Sequence, residues 1–133
     1  MKRVAVRNFS RADIDLGSRV VLANTLWTRL KGLLGAPPLQ PGEGMLLDPC
    51  QAVHMYGMRQ AIDVAFLGGE GQVIAVYHHL RPGQRSKFHG KARQALELPV
   101  GTLTETDTRV GDRLRIQPVS DDRQSSDGED DDR

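Results

Sequence analysis

Short apolar runs with polar neighbours recur along this chain and predict strands rather than long helices. Val4 and Val6 alternate with polar residues, as expected for one face of a first strand. Residues 62–67 and 72–77 are separated by the sequence GGEG, whose glycines can adopt the positive φ angles that a hairpin requires. Further short strands are predicted at residues 19–23, 44–48, 94–98 and 113–116.

One segment, residues 25–34, has helical periodicity instead. Asn24 or Thr25 can cap its start, and Gly35 can adopt the left-handed conformation that often ends a helix. We interpret its single apolar stripe as a surface that packs into the core rather than one that binds a partner. The stripe consists of Leu26, Trp27, Leu30, Leu33 and Leu34.

Many short strands and one clear helix predict an α+β protein that is mainly β. We expect an antiparallel β-sandwich or a barrel-like domain with one or two short helices. The length of 133 residues favours a single globular domain, over residues 1–119. Residues 120–133 are rich in acids and contain no large apolar side chain, so we expect a disordered acidic tail. The aromatic residues expected to fill much of the core are Trp27, Phe9, Phe66, Phe88, Tyr56 and Tyr77.

The net charge of +1 conceals an uneven distribution. Residues 1–120 hold 16 Lys and Arg against 10 Asp and Glu, whereas residues 121–133 hold 2 against 7. A basic body could attract an anionic partner, although we interpret most of the excess as a solvated surface. The lone Cys50 excludes an internal disulfide, and no apolar run is long enough for a signal peptide or a membrane span. These features predict a cytoplasmic monomer that does not insert into membranes.

Several motifs together resemble one family. In chain order they are RLKGLLG (29–35), GMLLDPC (44–50), VHMYGMRQAIDVAFL (53–67), GQVIAVYHHLRPG (71–83), ALELPVGT (95–102) and VGDRL (110–114). They resemble the motifs of the domain of unknown function 192 family, over roughly residues 20–116. The family's central pattern is matched at Gly57, Met58, Arg59, Ile62 and Asp63. The resemblance implies a compact β-sandwich-like domain with short helices, and it implies no catalytic residue because the family has no settled activity.

Two charged residues in the central apolar segment are the first candidates for a site. Arg59 and Asp63 stand where burial of at least one is expected, and a buried charge is costly unless it is paired. They could form the polar floor of a ligand site together with His54 and Met58. Alternatively, Asp63 accepts backbone N–H groups or pairs with a different Arg, which would make it structural. We expect Asp63 to be substantially buried in either case.

Glu97 is a second isolated acid, between Leu96 and Leu98. It could act with Asp63 as an acid and base pair if the two converged, but alternation favours an outward-facing Glu97.

Cys50, His54 and Met58 recur every four residues and carry donors that suit a soft ion such as Cu(I). An extended chain would spread them over about 25 Å, too far for one ion. We therefore expect no metal site and no cofactor, and an unreactive Cys50.

The segment 81–93 interleaves several cations with a single aromatic, Phe88. Such a pattern can bind phosphate or single-stranded nucleic acid, but one aromatic gives little support for base stacking and argues against nucleic acid. We interpret the segment mainly as a solvated loop. Its candidate anion-binding residues are Arg81, Arg85, Lys87 and Lys91.

The leading hypothesis is a small non-enzymatic accessory or ligand-binding domain with a polar site around residues 54–63, which binds an unknown small ligand or protein partner. One alternative is a small hydrolytic or transferase enzyme that uses Asp63, Glu97 or His54. Another is an anion or nucleic-acid binder that uses the segment 81–93. A concave pocket that joins His54, Arg59 and Asp63 would favour ligand chemistry.

Overall fold

A computed structural model describes residues 2–25, 29 and 32–119 of the chain. It is mostly β, as predicted, with one helical turn, α1 (Thr102–Glu105), in the described part. The strands are β1 (Arg3–Asn8), β2 (Ile14–Ala23), β3 (Glu43–Leu47), β4 (Ile62–Leu67), β5 (Val73–Leu80), β6 (Gln94–Pro99) and β7 (Leu114–Pro118).

The seven strands form one mixed sheet in the order β5-β4-β6-β3-β2-β1-β7. β2 and β3 are parallel, with Val20 opposite Gly44 and Leu22 opposite Leu46, and the other neighbouring pairs are antiparallel. The predicted antiparallel β-sandwich is therefore replaced by a single mixed sheet, in which antiparallel pairs dominate and one pair is parallel. A parallel pair requires a long crossover, which the chain between residues 23 and 43 supplies.

The sheet curls until its two edge strands meet at one corner. The N–H of Val73 donates to the carbonyl of Asp112 at 2.7 Å, and the N–H of Gly111 donates to the carbonyl of Val73 at 2.9 Å. Beside them, the N–H of Leu114 donates to the carbonyl of Gly71 at 2.8 Å. These bonds give the sheet the form of a partly closed barrel, which is the barrel-like outcome among the predicted alternatives.

Each face of the sheet carries its own apolar cluster. The inner cluster includes Leu67, Leu96 and Leu98, and it fills the concave side of the curl. The outer cluster includes Val64 and Phe66, on the opposite side of the same central strands. Strand β4, which lies between β5 and β6, is buried along its whole length because both of its faces are covered. This double burial explains why its sequence is continuously apolar rather than alternating.

The outer cluster is covered by irregular chain before β3 and before β4. Gln60 ties these two segments together: its Oε1 accepts the N–H of Leu39 at 2.9 Å, and its Nε2 donates to the carbonyl of Pro37 at 3.2 Å. Leu33 is buried in this cluster, and the bulk of the predicted stripe, including Trp27 and Leu30, lies outside the described residues.

The predicted helix over residues 25–34 does not continue through its last residues. Gly32 has a φ of 49°, which a right-handed helix cannot accommodate, and residues 32–35 form turns. Leu34, the last residue of the predicted stripe, is 46% exposed. Gly35 does adopt the predicted left-handed conformation, with a φ of 76°. The predicted acidic tail, residues 120–133, lies outside the described residues.

The aromatic residues contribute less to the core than expected. Phe66 is fully buried and packs edge-on against Tyr77. Phe9, Tyr56 and Phe88 are exposed, so the expectation that they fill the core is wrong. The two apolar clusters consist mainly of Leu, Ile, Val and Met, because aliphatic strand residues line both faces of the sheet.

Candidate functional site

Asp63 is buried, as predicted, and its partners are backbone groups. Its Oδ1 accepts the N–H of His79 at 2.9 Å. Its Oδ2 accepts the N–H groups of Gly101 at 3.1 Å and Leu103 at 3.0 Å. Arg59, by contrast, is exposed and is not among the partners described for Asp63.

The contacts of Asp63 hold two irregular turns in place. His79 has a φ of 56° at a bulge in β5, and Gly101 has a φ of 95° at the start of α1. A carboxylate that accepts three backbone N–H groups satisfies donors that these turns would otherwise leave unpaired. The arrangement supports the structural interpretation of Asp63 rather than a role in ligand chemistry.

The outer face of the sheet contains a cavity of about 470 Å³. Its walls come from residues 32–34, 49–56 and 58, and Phe88 also lines it. Among the predicted site residues, His54 and Met58 line this cavity, whereas Arg59 and Asp63 do not. The structure therefore does not bring the four residues together. It joins two of them to Arg29, Cys50 and Glu97, which also line the cavity.

Glu97 lies in β6 and faces this cavity from the sheet. It stands opposite Met45 on β3 and Val64 on β4, both of which belong to or pack against the outer apolar cluster. Glu97 is only 7% exposed, so the expectation that it faces outward is wrong. The alternation of side chains along β6 correctly predicts that Glu97 lies on the face opposite to that of Leu96 and Leu98. However, the face on which it stands is also covered by protein.

The environment of Glu97 leaves one oxygen of its carboxyl group without a hydrogen bond from the described residues. Within the described chain, no group forms a hydrogen bond with its Oε1 atom. Burial raises the pKa of Glu97 from 4.5 to about 7, because the charged form loses its hydration. This carboxyl group can consequently be either protonated or ionised near neutral pH.

Arg29 is the second incompletely paired group in the cavity. Its Nε atom is buried, and no hydrogen-bond partner is found for it among the residues that the structure describes. Its Nη1 atom donates to the carbonyl of Pro49 at 3.4 Å, which is a long hydrogen bond.

Cys50 lies beside these two groups and is held as a neutral thiol. Burial raises its pKa, and the negative charge of Glu97 acts in the same direction. The Sγ donates a hydrogen bond to the carbonyl of Ala52 at 3.2 Å. A backbone interaction with Ala52 and the positive charge of Arg29 oppose the rise in pKa without cancelling it. A thiol with a raised pKa is a poor nucleophile at neutral pH, in agreement with the expected unreactive cysteine.

His54 and Tyr56 lie together at the mouth of the cavity. Their rings stack with centroids 5.0 Å apart, and the N–H of Tyr56 donates to Nδ1 of His54 at 3.3 Å. In the neutral imidazole this bond leaves the proton on Nε2, which can donate to a ligand. Both residues are exposed, as is Phe88.

The basic segment 81–93 runs beside the cavity wall. The N–H of Met55 donates to the carbonyl of Gln84 at 2.7 Å, and His54 and Arg85 form an isolated antiparallel bridge. The backbone of this segment is therefore fixed against the cavity wall, while its basic side chains lie in solvent. Its candidate anion-binding residues are all exposed, and none forms an ion pair within the described chain: Arg81, Arg85, Lys87 and Lys91.

The described residues contain neither a cluster of metal ligands nor a helix that could span a membrane. In residues 2–25, 29 and 32–119, no three His, Cys, Asp or Glu side chains are grouped closely enough to hold a metal ion. No helix in the same ranges combines the length and apolar character needed to cross a membrane.

The sequence does not single out Arg29, because it lies in a segment whose apolar periodicity predicts a core helix. Glu97 was identified but assigned to the wrong environment. A signal was present in the sequence ALELP, since Ala95, Leu96 and Leu98 place apolar residues on both faces of the strand around one acid. A strand that is apolar on both faces is typical of burial on both sides.

Comparison with known proteins places the chain among proteins without an established activity. The model of the family DUF192, described as an uncharacterized ACR, matches residues 9–116. A UPF0127 protein from Thermococcus sibiricus is 30% identical over 103 residues, which cover 72% of this chain and 64% of that relative. The match thus spans somewhat less than two thirds of the relative's length.

Two solved structures share the fold. A protein of unknown function from Novosphingobium aromaticivorans has a TM-score of 0.72 and 23% identity, over 85% of this chain and 83% of its own. A Sinorhizobium meliloti protein, described provisionally as a transcription regulator, has a TM-score of 0.72 and 26% identity, over 86% of this chain and 92% of its own.

Proposed function

The chain belongs to the DUF192 family of uncharacterised proteins, and we propose that it is a small-ligand-binding domain whose site is the cavity at Glu97. The observation that carries this proposal is the buried Oε1 atom of Glu97, for which the described residues supply no partner. A buried polar group without a partner costs about 1–3 kcal/mol, so a ligand that satisfies it gains binding energy.

The size and composition of the cavity support the proposal. A volume of about 470 Å³ lies within the usual range for small-molecule sites. Apolar side chains such as Leu33, Val53 and Met55 form much of the lining, and a few polar groups are placed among them. Apolar walls supply affinity, whereas the polar groups fix the orientation of a ligand.

Binding is favoured over catalysis by the state of the available groups. Asp63 is fully engaged with three backbone N–H groups and stands away from the cavity. The raised pKa of Cys50 keeps its thiol neutral, so it lacks the thiolate that a nucleophile requires. The enzyme alternative that combines Asp63 with Glu97 therefore has no geometric support.

A fragment screen observed by NMR of the isotopically labelled protein tests the proposal. We expect bound fragments to shift the backbone resonances of Leu47, Cys50, Val53, Met55 and Glu97. The variant Ala52→Phe should block this response, because Ala52 is an exposed residue on the cavity wall.

A matched control is Val110→Phe, which changes an exposed residue that does not line the cavity. It should leave the fragment response intact. The proposal fails if no fragment perturbs the cavity residues, or if Ala52→Phe and Val110→Phe respond identically.

An anion-binding role for the segment 81–93 is the second candidate. It is favoured by the exposure of Arg81, Arg85, Lys87 and Lys91 without ion pairs in the described chain, and the provisional description of the Sinorhizobium meliloti neighbour is compatible with it. Fluorescence anisotropy with labelled single-stranded DNA tests it: affinity should fall steeply with added salt, and Lys87→Ala should reduce it. Absence of binding at low salt would remove this candidate.

A further inference from the structure

Two incompletely paired polar groups line the same cavity. Arg29 Nε and Glu97 Oε1 are the only two buried side-chain nitrogen or oxygen atoms of the described residues that lack a hydrogen-bond partner. Both residues line the cavity on the outer face of the sheet. Buried polar groups in native proteins are nearly always hydrogen-bonded, so the presence of both exceptions in the lining of one cavity points to a ligand whose polar atoms would satisfy them.

We propose that the ligand is a monocarboxylate with an apolar body, whose carboxylate accepts hydrogen bonds from Arg29 Nε and from the protonated carboxyl group of Glu97. This inference rests on the proposed function, because it names the ligand class of the same site. Apolar residues such as Val53, Met55 and Met58 would enclose the body of the ligand. No covalent step is involved, and the proton on Glu97 is taken from solvent.

The charge of the surroundings favours a carboxylate over an amine. Arg29 carries a permanent positive charge inside the cavity, and it would repel an ammonium group. Outside the mouth, Arg85 is bridged to His54, and Lys87 precedes the cavity-lining Phe88. These exposed cations would raise the local concentration of anions and increase their rate of association.

The protonation of Glu97 determines how binding depends on pH. The charged or titratable groups that line the cavity with it are Arg29, Cys50, His54 and Tyr56, while its neighbours on β3 and β4 are the apolar Met45 and Val64. A bound carboxylate adds a negative charge beside Glu97 and therefore favours its protonated form. Since Glu97 is about half ionised near pH 7 when free, binding takes up a proton at higher pH. The Kd should consequently rise about tenfold per pH unit above the pKa of Glu97.

Calorimetry with two matched series of probes tests the ligand class. The probes are octanoate, octanamide and octylamine, together with phenylacetate, phenylacetamide and phenethylamine. At a pH of about 6, we expect at least one carboxylate to bind more tightly than its amide and amine. At a pH of about 8, its affinity should be lower, and proton uptake should be measurable in buffers of different ionisation enthalpy.

Three variants separate the roles of the residues. Glu97→Gln should remove the pH dependence of carboxylate binding, because the Gln amide donates at every pH. Arg29→Gln should weaken carboxylate binding at least tenfold and leave the amides largely unaffected. Glu105→Gln, an exposed acid away from the cavity, should behave as the unchanged protein.

Several outcomes would overturn the inference. If the amides or amines bind as tightly as the carboxylates, or if no probe binds although fragments occupy the cavity, the ligand class is wrong while the proposed function stands. If the pH dependence persists in Glu97→Gln, Glu97 is not the group that takes up the proton. If Lys87→Ala removes carboxylate binding and Arg29→Gln does not, the site is the basic segment 81–93. If neither the probes nor the fragment screen reach the cavity, the proposed function itself fails.

Discussion

Asp63 and Glu97 lie on adjacent strands, and their side chains project from opposite faces of the sheet. Asp63 stands opposite Leu98, and Glu97 stands opposite Val64, so the two acids differ by one position in the register. Because successive residues of a strand alternate between faces, this offset separates them by the thickness of the sheet. The inner-face acid is satisfied by backbone N–H groups, and the outer-face acid is not. One acid therefore stabilises the fold, while the other remains available to a ligand.

The first prediction concerns Asp63. Asp63→Asn retains one acceptor oxygen but directs an NH₂ group at a backbone donor. It should lower the free energy of unfolding by about 1–3 kcal/mol. Asp15→Asn, at an exposed position in β2, should change it by no more than about 0.5 kcal/mol. Chemical denaturation at neutral pH measures both.

Arg59→Ala extends the same test to the partner that the sequence suggested. Because Arg59 is exposed and is not among the described partners of Asp63, the substitution should change stability by no more than about 0.5 kcal/mol. A cost as large as that of Asp63→Asn, or strong coupling between the two in a double-mutant cycle, would show that they pair in solution.

The second prediction concerns the closure of the sheet at Gly71. It has a φ of 84°, and a Cβ atom at this position would collide with the carbonyl oxygen of Leu114. Gly71→Ala should therefore destabilise the protein by about 1–3 kcal/mol. Gly69→Ala in the same hairpin is a matched control, because a Cβ there meets open space and no positive φ is required. Equal melting temperatures for the two variants would mean that the edge strands do not meet as described.

The strands were more predictable than their arrangement. β4 was predicted with the observed bounds, because a continuous apolar run between turn residues has few alternatives. The pairing of β2 with β3 was not predicted, since alternation identifies the face of a residue but not the neighbouring strand. The residues that decide pairing are distant in sequence and have no local signature.

The candidate site was predictable only in part, for a similar reason. The high cost of a buried charge correctly indicated the burial of Asp63, but it could not distinguish backbone partners from a ligand. The outcome depended on α1 and the bulge at His79, which reach Asp63 from distant parts of the chain. The burial of Glu97 could not be predicted without knowing that both faces of β6 are covered, and this is a property of the whole fold.

The third prediction concerns the acid stability that Asp112 provides. Burial alone would raise its pKa, but hydrogen bonds from Arg11, Asn8 and the N–H of Arg109 outweigh that effect and lower it. A lowered pKa in the folded state gives stability that is present above the unfolded pKa, near 3.8, and lost as the pH falls through the folded value.

Asp112→Asn should thus lower the free energy of unfolding at neutral pH by about 1–3 kcal/mol. This is less than the cost of breaking a fully buried ion pair, because the side chain of Arg11 is 35% exposed. It should also make the acid limb of the stability curve shallower. Asp107→Asn removes an exposed pair with Arg109 and should have little effect on either quantity. If both variants lose the same stability and keep the same acid limb, the burial of the Asp112 contacts has no energetic consequence.

The fourth prediction concerns the pH dependence of stability that Glu97 imposes. Its pKa of about 7 in the folded protein exceeds the ordinary value of 4.5, so the folded state holds a proton that the unfolded state has released. The resulting stability is fully present below pH 4.5 and is lost as the pH rises through about 7. At 1.36 kcal/mol per pKa unit, the loss is on the order of 3 kcal/mol.

Glu97→Gln should remove this loss, because a neutral amide is not penalised by burial in the same way. Above a pH of about 8 the variant should therefore be more stable than the unchanged protein, and near pH 5 the two should be similar. Denaturation midpoints across this pH range, with Glu105→Gln as the exposed control, measure the difference. If the stability of Glu97→Gln and of Glu105→Gln depends on pH as that of the unchanged protein does, the carboxyl group of Glu97 is solvated. The physical argument for its role in ligand binding then fails.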